Sequence, residues 1–234
     1  MAFSVKILYD LQQVDSSIQE ASGRLSANRA AIADDSAVRA ASVTKAHLET
    51  DLTEAKVAQR ASESELRALE SKIGGISARM YSGQVTSERH YEAMGEERSF
   101  LEAQKVEEED TLLETMVRID DLESDLATSE RTLQDLTQTR SSLVERLSAE
   151  NEVLEADLAD FNGQREAIVA EVPAPTLATY SGLLERREGR AVALVERGIC
   201  EGCRLTLPTG ELSRVRSEEG VHQCSSCSRI LFVP

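Results

Sequence analysis

The chain has 234 residues and a formal net charge of −16, from 26 Lys+Arg against 42 Asp+Glu. Hydrophobic residues make up 41% but aromatics only 3%, and tryptophan is absent, which argues against one large globular core and for long helices rich in Ala, Leu, Glu and Arg. The acidity opposes wrapping of duplex nucleic acid, no apolar run reaches the ~18 residues of a membrane span, and the first residues lack signal-peptide character, so a soluble cytoplasmic protein is expected.

The first 172 residues contain no proline, which permits long helices. Leu11, Ile18, Leu25 and Ile32 are spaced by seven. After an Ala-rich stretch, a three-and-four step resumes through Leu48, Leu52, Ala55, Leu66, Leu69, Ile73, Ile76 and Met80, interrupted at Gln59 and Ser62. A second series runs through Ile119, Leu122, Leu126, Leu133, Leu136, Leu143, Leu147 and Leu154, skipping Ser129, Arg140 and Glu150. Sustained spacing of this kind, with charges between, is a coiled-coil seam.

The two series flank Tyr81-Ser82-Gly83-Gln84-Val85-Thr86-Ser87, which holds a glycine and two potential helix caps, Thr86 and Ser87. Gly74-Gly75 weakens the helix just before it. A chain that folds back at about residues 81–87 gives two nearly equal arms, each roughly 110–125 Å long if it is one helix. The alternative is one continuous helix in a parallel dimer, and self-association of a hairpin as a homo-oligomer stays open. Residues 72–98 form a charge-balanced island on an acidic background. Its Tyr81, Arg89, His90 and Tyr91, with Met94, either dock a partner at the tip or close the core over the turn.

Pro173-Ala174-Pro175 ends the hairpin domain of residues 1–172. Residues 173–190 read as a linker and short helix, Leu177 to Glu188, capped by Thr176 and ended by Gly189. Residues 191–234 form the last domain, with strand candidates at 191–195 and 230–233.

All four cysteines lie in that last domain, as Cys200-Glu201-Gly202-Cys203 and Cys224-Ser225-Ser226-Cys227. Two C-x2-C knuckles twenty residues apart supply the four thiolates that a structural Zn2+ takes in a tetrahedron. Gly202 is expected to give the first knuckle its backbone freedom. Disulfides do not suit a cytoplasmic chain, and a redox C-x-x-C should open a helix after a strand. An iron–sulfur centre takes the same ligands. Four sulfurs leave no open position, so the metal holds the fold and does not catalyse. His222, two residues before Cys224, is read as a non-ligand. A tail this short needs the metal for much of its folding free energy.

Residues 186–234 carry eight Arg and six Glu, a net of +2, which leaves −18 on residues 1–185. Arg204, Arg214, Arg216 and Arg229 surround the knuckles, with Arg186, Arg187, Arg190 and Arg197 leading in. They either contact phosphates or an acidic protein surface, or offset the charge of about −2 on a Zn(Cys)4 centre. Phe232 is the aromatic placed to stack a nucleic-acid base. No nucleophile–base set or phosphate loop stands out, and catalysis is not supported.

In this order the chain resembles the bacterial C4-type zinc-ribbon coiled-coil family, described as nucleic-acid-binding or regulatory proteins. The likeness rests on Leu11-Gln12-Gln13-Val14-Asp15, matching an L-Q-x-x-D opening, and on Tyr81-Ser82-Gly83 with Glu92-Ala93-Met94-Gly95-Glu96-Glu97 at the turn. In the tail, Ala191-Val192-Ala193, the Cys200–Cys203 knuckle, Leu207-Pro208 and Cys227-Ser228-Arg229-Ile230-Leu231-Phe232 fit it, the last close to C-G-R-I-L-Y. Ser228 stands where glycine is usual, and Arg204 where histidine is common. The resemblance implies a mostly α protein: a long antiparallel coiled-coil helical hairpin with a small C-terminal β zinc ribbon, and no enzymatic activity. Family members have been linked to RNA, to an alternative sigma factor, and to flagellar or secretion assembly. The acidic rod makes a protein partner the leading expectation, an adaptor or regulator, with RNA or DNA binding by the ribbon as the alternative.

Overall fold

A computed structural model describes residues 4–83, 85, 87–217 and 220–234. Its helices are α1 (Val5–Ala33), α2 (Ser36–Tyr81), α3 (Glu88–Glu171), α4 (Ala174–Arg186) and α5 (Thr209–Ser217). Its strands are β1 (Val192–Glu196), β2 (Ile199–Cys200) and β3 (Ile230–Phe232). The chain divides into two compact units, one of residues 1–34 with 143–234, the other of residues 35–142.

In the second unit α2 and α3 run antiparallel. Lys45 pairs with Glu130 at 3.2 Å, Lys56 with Glu123 at 2.6 Å and Glu70 with Lys105 at 2.9 Å, so partners descend on α3 as they ascend on α2. Ala55, Leu69, Ile76 and Met80 are buried on the seam read from the sequence, and its skipped members, Gln59 and Ser62, also turn inward. Gly74 and Gly75 do not end α2, which continues to Tyr81. Beyond it Met80 and Met94 close the core with Ile76, Val85 and Leu101. Tyr81, Arg89, His90 and Tyr91 instead face solvent. Ser87 accepts the backbone N–H of Tyr91 through its carbonyl at 3.0 Å; Thr86, the other expected cap, lies outside the described residues.

The expected single helix of the first arm is broken. Asp34 is extended (φ −78°, ψ 106°), and Asp35 precedes α2 while forming an ion pair with Arg39 at 2.8 Å. Adjacent aspartates are poor in a helix interior but favourable at a helix start, where their charge meets the positive end of the dipole.

In the first unit α1 packs on the last part of α3 through Ala21, Leu25, Leu154 and Leu158. Arg24 pairs with Glu150, and Arg29 with Glu155 at 2.8 Å. α4 begins at Ala174, earlier than the Thr176 cap expected. The N–H that Pro175 lacks has no partner in a first turn anyway, so proline starts this helix instead of delaying it. It ends at Arg186, before Glu188 (φ 53°) and Gly189 (φ 79°) turn left-handed. The sheet has the order β2-β1-β3, with β1 antiparallel to β2 and parallel to β3. Neither β2 nor α5 was expected from the sequence: two residues are too few to show alternation, and Thr209–Ser217 is short and largely polar.

Candidate metal centre

Each knuckle is a tight turn closed by its own backbone. Arg204 N–H donates to Cys200 O at 2.7 Å, and Ser228 N–H donates to Cys224 O at 2.8 Å. The next residue returns the bond: Cys200 N–H reaches Leu205 O at 3.0 Å, and Cys224 N–H reaches Arg229 O at 2.9 Å. Both turns place the residue after the second cysteine in the left-handed region, Arg204 and Ser228 each with φ of 60°. Those φ values correct the role given to Gly202. The freedom it supplies is spatial: a Cβ there would stand 2.7 Å from Arg229 Cδ and 3.0 Å from Ala193 Cβ.

The knuckles face one another. Cys200 Sγ lies 3.8 Å from Cys227 Sγ, Cys203 Sγ lies 3.9 Å from Cys224 Sγ, and all four sulfurs fall within 4.8 Å of each other. A tetrahedron with arms of ~2.3 Å has edges of about 3.8 Å, so the sulfurs fit zinc. The closest approaches, 3.8 and 3.9 Å, run between the two knuckles and are far longer than an S–S bond, as in a ligand shell and not in two bonded pairs. Neither knuckle opens a helix, contrary to a thioredoxin-like dithiol. Burial pushes the Cys200 thiol up to about 12 and raises Cys224. Burial acts the same way on Cys227, but hydrogen bonds from the Arg229 backbone and side chain outweigh it and bring this thiol to about 7.

Arg229 is therefore part of the centre's frame. Its Nε donates to Arg190 O at 2.8 Å and its guanidinium to Gly202 O at 2.9 Å, bridging the chain before β1 and the two knuckles. Arg204, Arg214 and Arg216 are exposed, the last two in the final turn of α5. The four arginines are thus not one surface. Phe232 is engaged too: it stacks on Tyr9 of α1 with ring centroids 5.2 Å apart, so one face of its ring is already taken. His222 lies outside the sulfur cluster. Glu211, 7% exposed, fixes α5 to the second knuckle by accepting Ser225 N–H at 3.1 Å and Ser225 Oγ–H at 2.9 Å.

Two family models cover these elements. The C4-type zinc ribbon domain matches residues 199–231, and the CT398-like coiled coil hairpin domain matches residues 11–188, well over half of the chain. The chain belongs to the CT398-like coiled-coil hairpin family. Several solved structures share its fold. CT398 from Chlamydia trachomatis is 18% identical, covering 97% of this chain and 99% of that one, with a TM-score of 0.59. A protein from Mycobacterium smegmatis, also 18% identical, covers 100% of both chains with a TM-score of 0.62. The HP0958 protein of Helicobacter pylori CCUG 17874 is 16% identical over 98% of this chain and 96% of that one, with a TM-score of 0.55. No curated protein sequence matches the chain. In this family member Cys200, Cys203, Cys224 and Cys227 are the ligands of one structural Zn2+.

Sequence reasoning missed the residues that tie the centre to the helices. Gln12 lies beside seam residue Leu11, yet its amide is buried against β1. Asp15 accepts Tyr180 Oη–H at 2.7 Å and Arg165 Nε–H at 2.7 Å. Burial and the carboxylate of Asp15 hold the Tyr180 phenol neutral, far above its ordinary value. The L-Q-x-x-D likeness marked both positions; nothing in the sequence paired them with residues more than 140 positions away.

Proposed function

We propose that this protein is a non-enzymatic adaptor or regulator, whose coiled-coil surface and zinc ribbon each present a binding face to a protein partner. The observation that carries this reading is the closed four-sulfur shell. It leaves zinc no open position for substrate or water, so the metal's work is to shape a surface. The acidity of residues 1–185 favours protein over phosphate as the partner. The zinc-loaded protein, used as bait with and without nuclease, tests this. A partner that survives nuclease, and then binds as a purified protein, supports the adaptor reading; failure of every purified candidate to bind overturns it.

Nucleic-acid binding by the ribbon is the second reading, favoured by the exposure of Arg204, Arg214 and Arg216. It requires a salt-sensitive RNA affinity that an Arg214→Ala/Arg216→Ala variant loses while keeping zinc. Binding that ignores salt, or that survives this variant, excludes it.

A further inference from the structure

The two faces of the ribbon sheet belong to different cores. Ala193, Val195 and Leu231 pack with the four cysteines. Ala191, Val192 and Ile230 pack with Leu8 and Leu11 of α1, Val172, and Tyr180 and Leu183 of α4. Gln12 stitches the second core to the sheet. It is 6% exposed, and its side-chain amide engages both polar groups of a single residue 180 positions away. Val192 N–H donates to Gln12 Oε1 at 2.6 Å, and Gln12 Nε2–H donates to Val192 O at 3.0 Å. One residue of an antiparallel neighbour pairs in just this way, so a helix side chain here stands in for a strand. One turn further along α1, Asp15 secures the same segment to α3 and α4 through Arg165 and Tyr180.

We propose that zinc occupancy and this α1 clamp are coupled, with Gln12 as the positioning residue between them. Zinc holds β1 where Val192 satisfies Gln12, and Gln12 holds β1 where Cys200 meets Cys227. Strands of two to five residues do not persist without the metal. When β1 frays, the buried amide loses both partners, and Leu8 and Leu11, both 0% exposed, lose their cover. The first turns of α1 therefore open together with the ribbon. Linkage makes the effect mutual: whatever zinc does for the clamp, the clamp does for zinc. The device makes the segment 5–15 a reporter of metal state, uncovering an apolar face built from Leu8, Leu11, Tyr180 and Leu183 when zinc is withdrawn.

Hydrogen exchange on the full-length protein, zinc-loaded and then stripped with a chelator, reads one direction. Residues 5–15 are expected to lose protection along with β1, β2, β3 and α5, while 143–158 of α3 keep theirs. Zinc transfer to a chromogenic chelator reads the other. At transfer equilibrium Gln12→Leu is expected to hold zinc about five- to a hundredfold more weakly with unchanged far-UV helicity, the range usual for coupled sites. Exposed Gln13→Ala is expected to match the parent. Should Gln12→Leu fail to fold, Gln12→Met keeps the length of the side chain but removes both hydrogen bonds to Val192, and the same weakening is expected. Full protection of residues 5–15 without metal, or parental zinc affinity in the Gln12 variant that folds, would overturn the coupling.

Discussion

Ser228 and Arg204 occupy equivalent points of the two knuckles, each with a Cβ in a backbone region that favours glycine. Ser228→Gly is expected to stabilise the zinc-loaded ribbon by ~0.5–1 kcal/mol, less than the full left-handed penalty because glycine also gains freedom in the unfolded chain. A thermal melt of the holoprotein checks it, and Ser228→Ala, which keeps the Cβ, should show no gain. Gly202 is the reverse case. Its backbone is not left-handed, but a Cβ would overlap Arg229 Cδ at 2.7 Å. Gly202→Ala is expected to displace Arg229 from Gly202 O and lower ribbon stability by ~1–3 kcal/mol, the usual range for overpacking, with faster zinc release as the readout.

Among the elements, the ribbon answers to the metal and the α2–α3 pair to its seam. A Cys203→Ser change, or a chelator, is expected to melt β1, β2, β3 and α5, abolish zinc binding and remove only a small part of the far-UV helical signal. Loss of most of that signal would contradict it. Leu69, 4% exposed in the α2 seam, gives the converse. Leu69→Ala should cost about 2–4 kcal/mol, as large-to-small core changes do, and leave zinc stoichiometry untouched. The helical seams were legible in the sequence because burial on one face of a helix imposes a repeat that survives in the order of residues. The break at Asp34–Asp35 was not, because it depends on two residues favouring a helix start over continuation. The arginines around the knuckles were legible as a cluster but not as roles. What separates Arg229 from Arg214 is which carbonyls the fold brings near, and that is decided by β3 beside β1.

For the whole molecule, charge sets the response to salt. The exposed ion pairs across the helices contribute little in water, while a net charge of −16 repels itself throughout. Raising NaCl from 0.05 to about 0.5 M is therefore expected to raise the melting temperature of the helices, because screening removes more repulsion than attraction. A fall would show that the ion pairs outweigh the excess acid. Acid separates the two parts of the molecule. Zinc binds thiolates, so protons compete with it and metal affinity falls with pH, whereas protonated carboxylates no longer repel. Titration toward pH 5 should release zinc while far-UV helicity holds.

The helical seams, the turn between them, the proline boundary at 173 and the four ligands of the metal were legible in the order of residues. These are short-range patterns: a repeat, a ring that fixes φ, a C-x2-C spacing. Long-range packing is what makes Arg229 brace the centre, sets Phe232 on Tyr9, and brings Gln12 to the open edge of β1. Each of these joins residues far apart in the chain, where a side chain's partner depends on which surfaces have been packed together.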